Sequence, residues 1–537
     1  MQTVVSKFLA LFTCISILFT SGFGPAFRYL KNLDVAPVEY PAAAVSAKQI
    51  ALVDYPAGDE ALAIGALQGV LANKSETQIL IRDGAYKKYL PYLDAQILET
   101  RPDGGKWDAA SLLKAYGSAA NGYVLCDAAG AAAAVSVAGA LQAAVIPESL
   151  EDAAKAAGLE KKEDVRGWDD AKLRKSGYFS QLNQKIAIEQ PVAYAPKLVD
   201  LAVMAGAYFG FSDSANPKDH TKTFSFLKDN AVIFGWNPVL GEFDTVKSFS
   251  GMNMCLIAAD HGCNYSTLSG FCVDSLTQKT PAEAQSAEGV HTVCLAMSDG
   301  DNLQWITTLF TDESHYGSPV RGAFPMGWGI PACVADMAAP MAEYLYDNMT
   351  ENDEFITHIS GLGYTFPSKW NNPAAVQVMA KQLAEQMAKN GTRIAAVLDD
   401  HGFNAKAEDT ILSQDGIDAL FYFDYANYAG YEGAVRTVDG KPIISARYRL
   451  WNGIEGCSPA EIAAAINAAS KDPASPDAYS LIVVHAWSGL DAQGNFVEGG
   501  DCMRAVEQMV NLFGDGVRIV TPGTFAARVA RAQQASR

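Results

Sequence analysis

Residues His291–Trp305 read HTVCLAMSDGDNLQW, an apolar run that stops in an acidic turn and then opens a helical stretch. A short apolar run bounded by a turn signal reads as a strand buried on both faces, and a strand feeding a helix is half of a β–α–β unit. The same rhythm continues downstream in PMGWGIP, FITHIS, RIAAVLD, DALFYFDY, PIISARYRLW, YSLIVVHAW and VRIVT. Helical patterns such as PAAVQVMAKQLAEQMAKN and PAEIAAAINAAS separate most of them. These β runs alternate with helices over about 250 residues, which matches a (β/α)8 barrel of the TIM type. An open doubly wound sheet is the alternative.

The chain has 537 residues, too many for one hydrophobic core, because cores stop growing at roughly 250–300 residues. The polar stretch TQKTPAEAQSAEG, Thr277–Gly289, is the natural boundary. Upstream, IALVDY (Ile50–Tyr55), the helical DEALAIGALQGVLANK and the strand-like TQILIRD form a β–α–β unit, which predicts a parallel pair. GYVLCD and NAVIFGW read as further buried strands, and neither G-x-G-x-x-G nor G-K-[ST] occurs. The expected fold class is therefore α/β: a signal peptide over 1–24, an N-terminal α/β support domain over 25–285, and a barrel-like domain over 290–537.

Acidic residues outnumber basic ones, 60 to 41, for a formal charge of −19. Such a surface repels nucleic acid and anionic lipid, so neither is expected as a partner. No C-x-x-C pair occurs among the nine cysteines, which gives a structural zinc site no support. Spacing leaves open one disulfide among Cys255, Cys263 and Cys272.

In a barrel, the residues just after each strand form the mouth where chemistry takes place. Here those positions are rich in acids and aromatics. Asp299, Asp301, Asn302 and Trp305 follow the first run, and Trp328 closes the second. GLGYTFP follows the third, with Gly361, Gly363, Tyr364 and Phe366. Asp399, Asp400 and His401 end the fourth run, while Asp424 and Tyr425 end the fifth. Arg447, Arg449, Trp451 and Glu455 belong to the sixth, and His485 and Trp487 to the seventh. Sugars stack on aromatic faces, and paired carboxyl groups cleave glycosidic bonds.

GLGYTFP at Gly361–Pro367 resembles the signature of the GxGYxYP glycoside hydrolase family. SDGDNLQW, SARYRLW and VVHAWS are similar to segments of that family's C-terminal domain, and ALQGVLANKSETQILI (Ala66–Ile81) to its N-terminal domain. Nearly all of the mature chain is covered. Phe366 departs from the pattern: a ring is kept where the family has Tyr, without the hydroxyl. The resemblance implies secreted carbohydrate processing in bacteria on a barrel-like architecture.

Each of these residues also has a plainer reading. Asp299 and Asp301 suit a helix N-cap, or oxygen ligation of Ca²⁺ or Mg²⁺. Tyr364 and Phe366 suit core packing. Neighbouring strand residues face opposite ways, so only one of Asp399 and Asp400 is expected in a site. His401 and His485 suit hydrogen-bonded core or rim positions. Singly, Trp328, Trp451 and Trp487 suit the core. The function expected is glycoside hydrolysis of an oligo- or polysaccharide. Asp299, Asp301, Asp400 and Glu455 are its candidate acids. Asn302, Trp328, Gly361, Gly363, Tyr364, Phe366, His401, Arg447, Trp451, His485 and Trp487 are its candidate sugar contacts. No cofactor and no metal is expected. The alternatives are a metal-dependent carbohydrate hydrolase or deacetylase, and a glycan-binding protein without catalysis.

The N-terminus reads as an export signal. Lys7 precedes the apolar run FLALFTCISILF (Phe8–Phe19), and small residues follow in TSGFG. The run is shorter than the ~20 residues a membrane-spanning helix needs. A secreted or cell-surface location follows, with an uncleaved N-terminal anchor as the alternative. N-terminal sequencing of exported protein should find a start between Gly22 and Ala26. Retained Met1 would establish the anchor instead.

Overall fold

A computed structural model describes residues 35–278, 289–298, 302–453 and 456–535. The export segment, most of the expected boundary at 279–288, and the candidate acids Asp299, Asp301 and Glu455 lie outside them.

The N-terminal half carries three small, wholly parallel sheets. The first has the order β2-β1-β3, from β1 (Gln49–Val53), β2 (Thr77–Ile81) and β3 (Gln96–Leu98). The second, β5-β4-β6, uses β4 (Tyr123–Cys126), β5 (Ala144–Pro147) and β6 (Lys161–Asp164). The third, β10-β9-β7-β8, uses β7 (Ile186–Gln190), β8 (Tyr208–Phe211), β9 (Val232–Gly235) and β10 (Cys255–Ile257). The parallel pair read from IALVDY and TQILIRD is β1 and β2, in register from Gln49↔Thr77 to Val53↔Ile81.

One ten-stranded sheet dominates the C-terminal half. Its strands are β11 (His291–Ser298), β12 (Met326–Ile330), β13 (Asp353–Thr357), β14 (Ile394–Asp399), β15 (Ala419–Asp424), β16 (Val435–Val438), β17 (Lys441–Ser445), β18 (Tyr448–Leu450) and β19 (Tyr479–His485). A small hairpin of β20 (Ser488–Leu490) and β21 (Phe496–Glu498) follows, and β22 (Val517–Ile519) then returns to the large sheet beside β11. Only β16 runs antiparallel within that sheet. Every residue of β11 to β15 is buried, as expected for parallel strands covered on both faces. Helix starts follow their sequence signals: Asn372 caps Pro373–Lys389 with Pro at its first position, and Ser458 and Glu461 form a capping box on Pro459–Ala468.

The eight-strand barrel is corrected in two places. PIISARYRLW is not one strand: β17 pairs with β15, and after Ala446 and Arg447 the chain crosses to pair, as β18, with β19. VRIVT does not stand between the seventh run and the first. Instead β19 pairs directly with β11 along seven residues, and β22 meets only His291–Val293. The result is a curled parallel sheet whose two flanks are brought together by the short run from β17 to β18.

One large apolar cluster runs through both halves, and a second, around Leu67, Leu112 and Leu125, lies within the N-terminal half. Among the described residues all eight cysteines are free thiols, so the Cys255, Cys263 and Cys272 region holds no bridge. No helix among them is long and apolar enough to cross a membrane. Close packing is tightest where helix Gly58–Lys74 crosses helix Val199–Ala205. A Cβ on Gly69 would fall 2.3 Å from the Asp200 carbonyl oxygen, which is backbone and cannot swing away. Gly69→Val should therefore cost about 3 kcal/mol, the upper end of ordinary overpacking, read from urea unfolding of the full chain.

Candidate active site

Because the strands run parallel, their C-terminal ends share one edge of the sheet. Register places Ser298 beside His485 and Asp399 beside Asp424. The curl brings distant ends together. His485 stacks on Trp451 with centroids 3.7 Å apart, and Trp451 meets Tyr428 edge-on at 5.0 Å. Tyr428 in turn donates its backbone N–H to the Asp424 carbonyl. The loops after β11, β13, β14 and β15 each hold a non-glycine residue at positive φ: Asn302, Ser360, His401 and Tyr428. Such strain persists only where surrounding structure enforces it, and it concentrates at functional sites.

At the ends of β14 and β15 lies a cluster of acids. Asp399 is buried and saturated: it accepts from Ser368 N at 2.9 Å, Ser368 Oγ at 2.8 Å and Asp400 N at 2.8 Å. Asp400 takes an ion pair from Lys369 at 2.8 Å. His401, largely exposed, lies between two carboxylates, with Nε2 3.8 Å from Asp400 and Nδ1 3.4 Å from Asp424. Asp424 accepts the His401 backbone N–H at 3.0 Å. Burial pushes the Asp424 carboxyl above its ordinary range, against the pull of His401, while Asp400 and Asp399 add to the rise. Two neighbouring carboxyl groups thus have different surroundings, one beside an ammonium and one desolvated. That contrast separates an acid from a base in many active sites.

The signature loop builds this arrangement. Tyr364 pairs its backbone with Leu256 of β10, N to O at 2.6 and 2.9 Å, and its hydroxyl donates to Glu242 at 2.6 Å. Thr365 Oγ1 lies 2.9 Å from Ser250 Oγ, which also accepts the Phe366 N–H. A Cβ on Gly363 would lie 3.0 Å from the Leu256 carbonyl oxygen, so glycine permits the approach. Gly361, at φ 134°, holds a conformation open only to glycine. The next residues, Ser368 and Lys369, are the partners of Asp399 and Asp400. Phe366 also backs Tyr425 at 5.2 Å, and Phe243 closes on both rings.

Several candidate sugar contacts are corrected by burial. Trp328 and Phe366 are fully buried and Tyr364 nearly so, which leaves no ring face for a sugar. Trp328 donates Nε1 to Asp353, the first residue of β13, and thus faces the opposite end of the sheet. Arg447 follows β17, but its side chain pairs with Asp477, ahead of the start of β19. Gly361 and Gly363 shape the loop rather than line a cleft. Asn302 is buried, and its Oδ1 has no hydrogen-bond partner among the described residues. Asp400, His401, Trp451, His485 and Trp487 do gather at the strand ends. Missing from the candidate set were Asp424, Lys369 and Glu242. Asp424 ends its strand just as Asp399 does, so the strand-end rule reaches it. Lys369 and Glu242 carry no such mark, since their roles depend on contacts far apart in sequence.

Glu408, wholly buried beside Asp399, has a carboxyl raised well above its ordinary range, first by burial and then by the Asp399 charge. A carboxyl whose folded-state pKa exceeds its unfolded value favours the folded state at low pH. That contribution is lost as pH rises from the ordinary carboxyl range through the raised value. Glu408→Gln should therefore leave stability less sensitive to rising pH, with a smaller fall in melting temperature between about pH 5 and 8. Thermal unfolding of both proteins across that range measures the difference.

The sequence model described as the GxGYxYP putative glycoside hydrolase C-terminal domain matches residues 289–530. Models of the second and third N-terminal domains of the same family match residues 120–184 and 184–270. No curated protein matches the chain. A crystal structure of a putative hydrolase from Bacteroides thetaiotaomicron is similar at a TM-score of 0.81 and 25% identity, over 93% of this chain and 98% of that one. With three of the family's domains matched in order and its signature joining the two halves of the molecule, this chain belongs to the GxGYxYP family.

Proposed function

We propose that the protein is a secreted glycoside hydrolase that cleaves its carbohydrate substrate by carboxylate acid/base chemistry at the C-terminal ends of the curled sheet. The observation carrying this reading is the Asp400–His401–Asp424 cluster, in which neighbouring carboxyl groups are held in contrasting environments. Asp424, raised by burial, is the proton donor to the leaving glycosidic oxygen. Asp400, beside Lys369, is the charged partner. It attacks the sugar directly if the carboxyl groups stand about 5–5.5 Å apart around a bound substrate, or activates water at ~6.5–9.5 Å. Asp299 and Asp301, which follow β11 in sequence, and Glu455, which follows β18, are further proposed acids on the sequence argument. The family description supports a carbohydrate substrate, and the similar hydrolase structure supports bond hydrolysis.

The test is a hydrolysis screen of the purified mature protein against a broad glycan panel, repeated with Asp400→Asn, Asp424→Asn and Asp299→Asn. Each substitution nearly preserves shape while removing a charge or an acid. At least one of the first two should lower turnover by ~10² or more with the fold intact. Activity indifferent to both would move the chemistry to Asp299, Asp301 or Glu455. Binding without turnover across the panel would make the protein a glycan-binding one.

A further inference from the structure

A cavity of about 530 Å³ lies between the two halves of the molecule, within the usual size of small-molecule clefts. Its walls come from three sheets, two in the N-terminal half and one in the C-terminal half, each through residues that follow the C-terminal ends of parallel strands. Tyr55 follows β1, Tyr194 follows β7 and His261 follows β10 on the N-terminal side. Trp305 follows β11 and Trp487 follows β19 on the other. In α/β sheets ligands bind outside the carboxyl ends of strands, and here such ends from three sheets line the same space.

The lining is aromatic and polar in alternation. Tyr194 and His261 form one ring pair, with centroids 4.1 Å apart, and Trp305 and Trp487 another at 5.9 Å. Tyr55 is half exposed, with Lys197 4.7 Å above its ring and ion-paired to Asp83. The Trp305 indole N–H is buried and has no hydrogen-bond partner among the described residues. Large ring faces with hydrogen-bonding groups between them suit a pyranose, which presents apolar C–H faces and an equator of hydroxyl groups. An apolar ligand would leave the Lys197–Asp83 pair and His261 without use. A run of rings leads from the cleft to the acid site: Trp487 lies two residues beyond His485, His485 stacks on Trp451, and Trp451 meets Tyr428, whose backbone N–H donates to the Asp424 carbonyl.

We propose that this cleft is a sugar-binding subsite, in which the N-terminal half holds the portion of an oligosaccharide that extends beyond the bond cleaved at the sheet. The inference rests on the glycoside hydrolase reading above. It assigns the N-terminal sheets a share in substrate selection and makes the substrate a chain of several sugars.

The experiment is isothermal titration and turnover of the full mature protein with cello-, xylo-, manno- and chito-oligosaccharide ladders, from disaccharide to hexasaccharide. At least one ladder should show affinity rising about tenfold with length, the scale expected of added ring stacking. Tyr55→Ala combined with Tyr194→Ala should flatten that series, whereas Tyr194→Phe, which keeps the ring, should retain it. Circular dichroism verifies that each variant is folded. A wild-type series that is hydrolysed but gains nothing with length overturns the subsite and leaves the enzyme reading standing. So does a length gain that survives the double substitution. If neither these ladders nor any oligosaccharide of the broad glycan panel is bound or cleaved, both readings fall together.

Discussion

The molecule depends on one loop that is committed at both ends. Residues Gly361–Pro367 pair with β10 of the N-terminal half, through two backbone hydrogen bonds at Tyr364 and a side-chain network around Ser250 and Glu242. The next two residues, Ser368 and Lys369, then serve the acids at the end of β14. Each neutral hydrogen bond is worth only about 0.5–1.5 kcal/mol net, but they act together on a short, closely packed segment. A shift of the loop against β10 would move the groups that orient Asp399 and Asp400. The family signature is thus a positioning device. Gly363 permits close approach and Gly361 a positive φ, and the aromatics are packed inside instead of offered to a ligand.

Burial organises the electrostatics around that loop. The strand ends carry more carboxyl groups than cations, and the surroundings decide what each one does. Asp399 is tied down by three donors, Asp400 meets an ammonium, and Asp424 and Glu408 are desolvated. A desolvated acid disfavours its charged form, while a paired one tolerates it. The same residue type at the ends of adjacent strands therefore meets different surroundings, and burial raises the carboxyls of Asp424 and Glu408. The cost is stability at higher pH, which a large shared core can offset.

The curl of the sheet makes this gathering possible. Because β17 pairs with β15 and the chain then crosses to pair with β19, residues from opposite flanks come into contact: Tyr428, Trp451 and His485. The same geometry turns Trp305 and Trp487 toward the N-terminal half, where Tyr194 and His261 complete the walls of the cleft.

Much of this was legible in one dimension, for a clear reason. Buried parallel strands must be apolar along their whole length, so the runs ending at Ser298, Asp399, Asp424 and His485 declare themselves, and so do the acids and aromatics just beyond them. Local pattern also reveals β1 pairing with β2 and the signature loop. Pattern does not encode which run lies beside which. VRIVT reads as a strand like the others, yet only the tertiary arrangement makes β19 the neighbour of β11 and leaves β22 a short appendage. The aromatics of GLGYTFP read equally well as ligand platforms or as core, and packing against β10 decided for core. Strand positions and chemistry-bearing strand ends were determined by the sequence itself, because burial and turn chemistry act on neighbouring residues. The partners of Asp400 and Asp424, and the cleft between the halves, were decided only by the tertiary structure, because they join residues separated by tens to hundreds of positions in the chain.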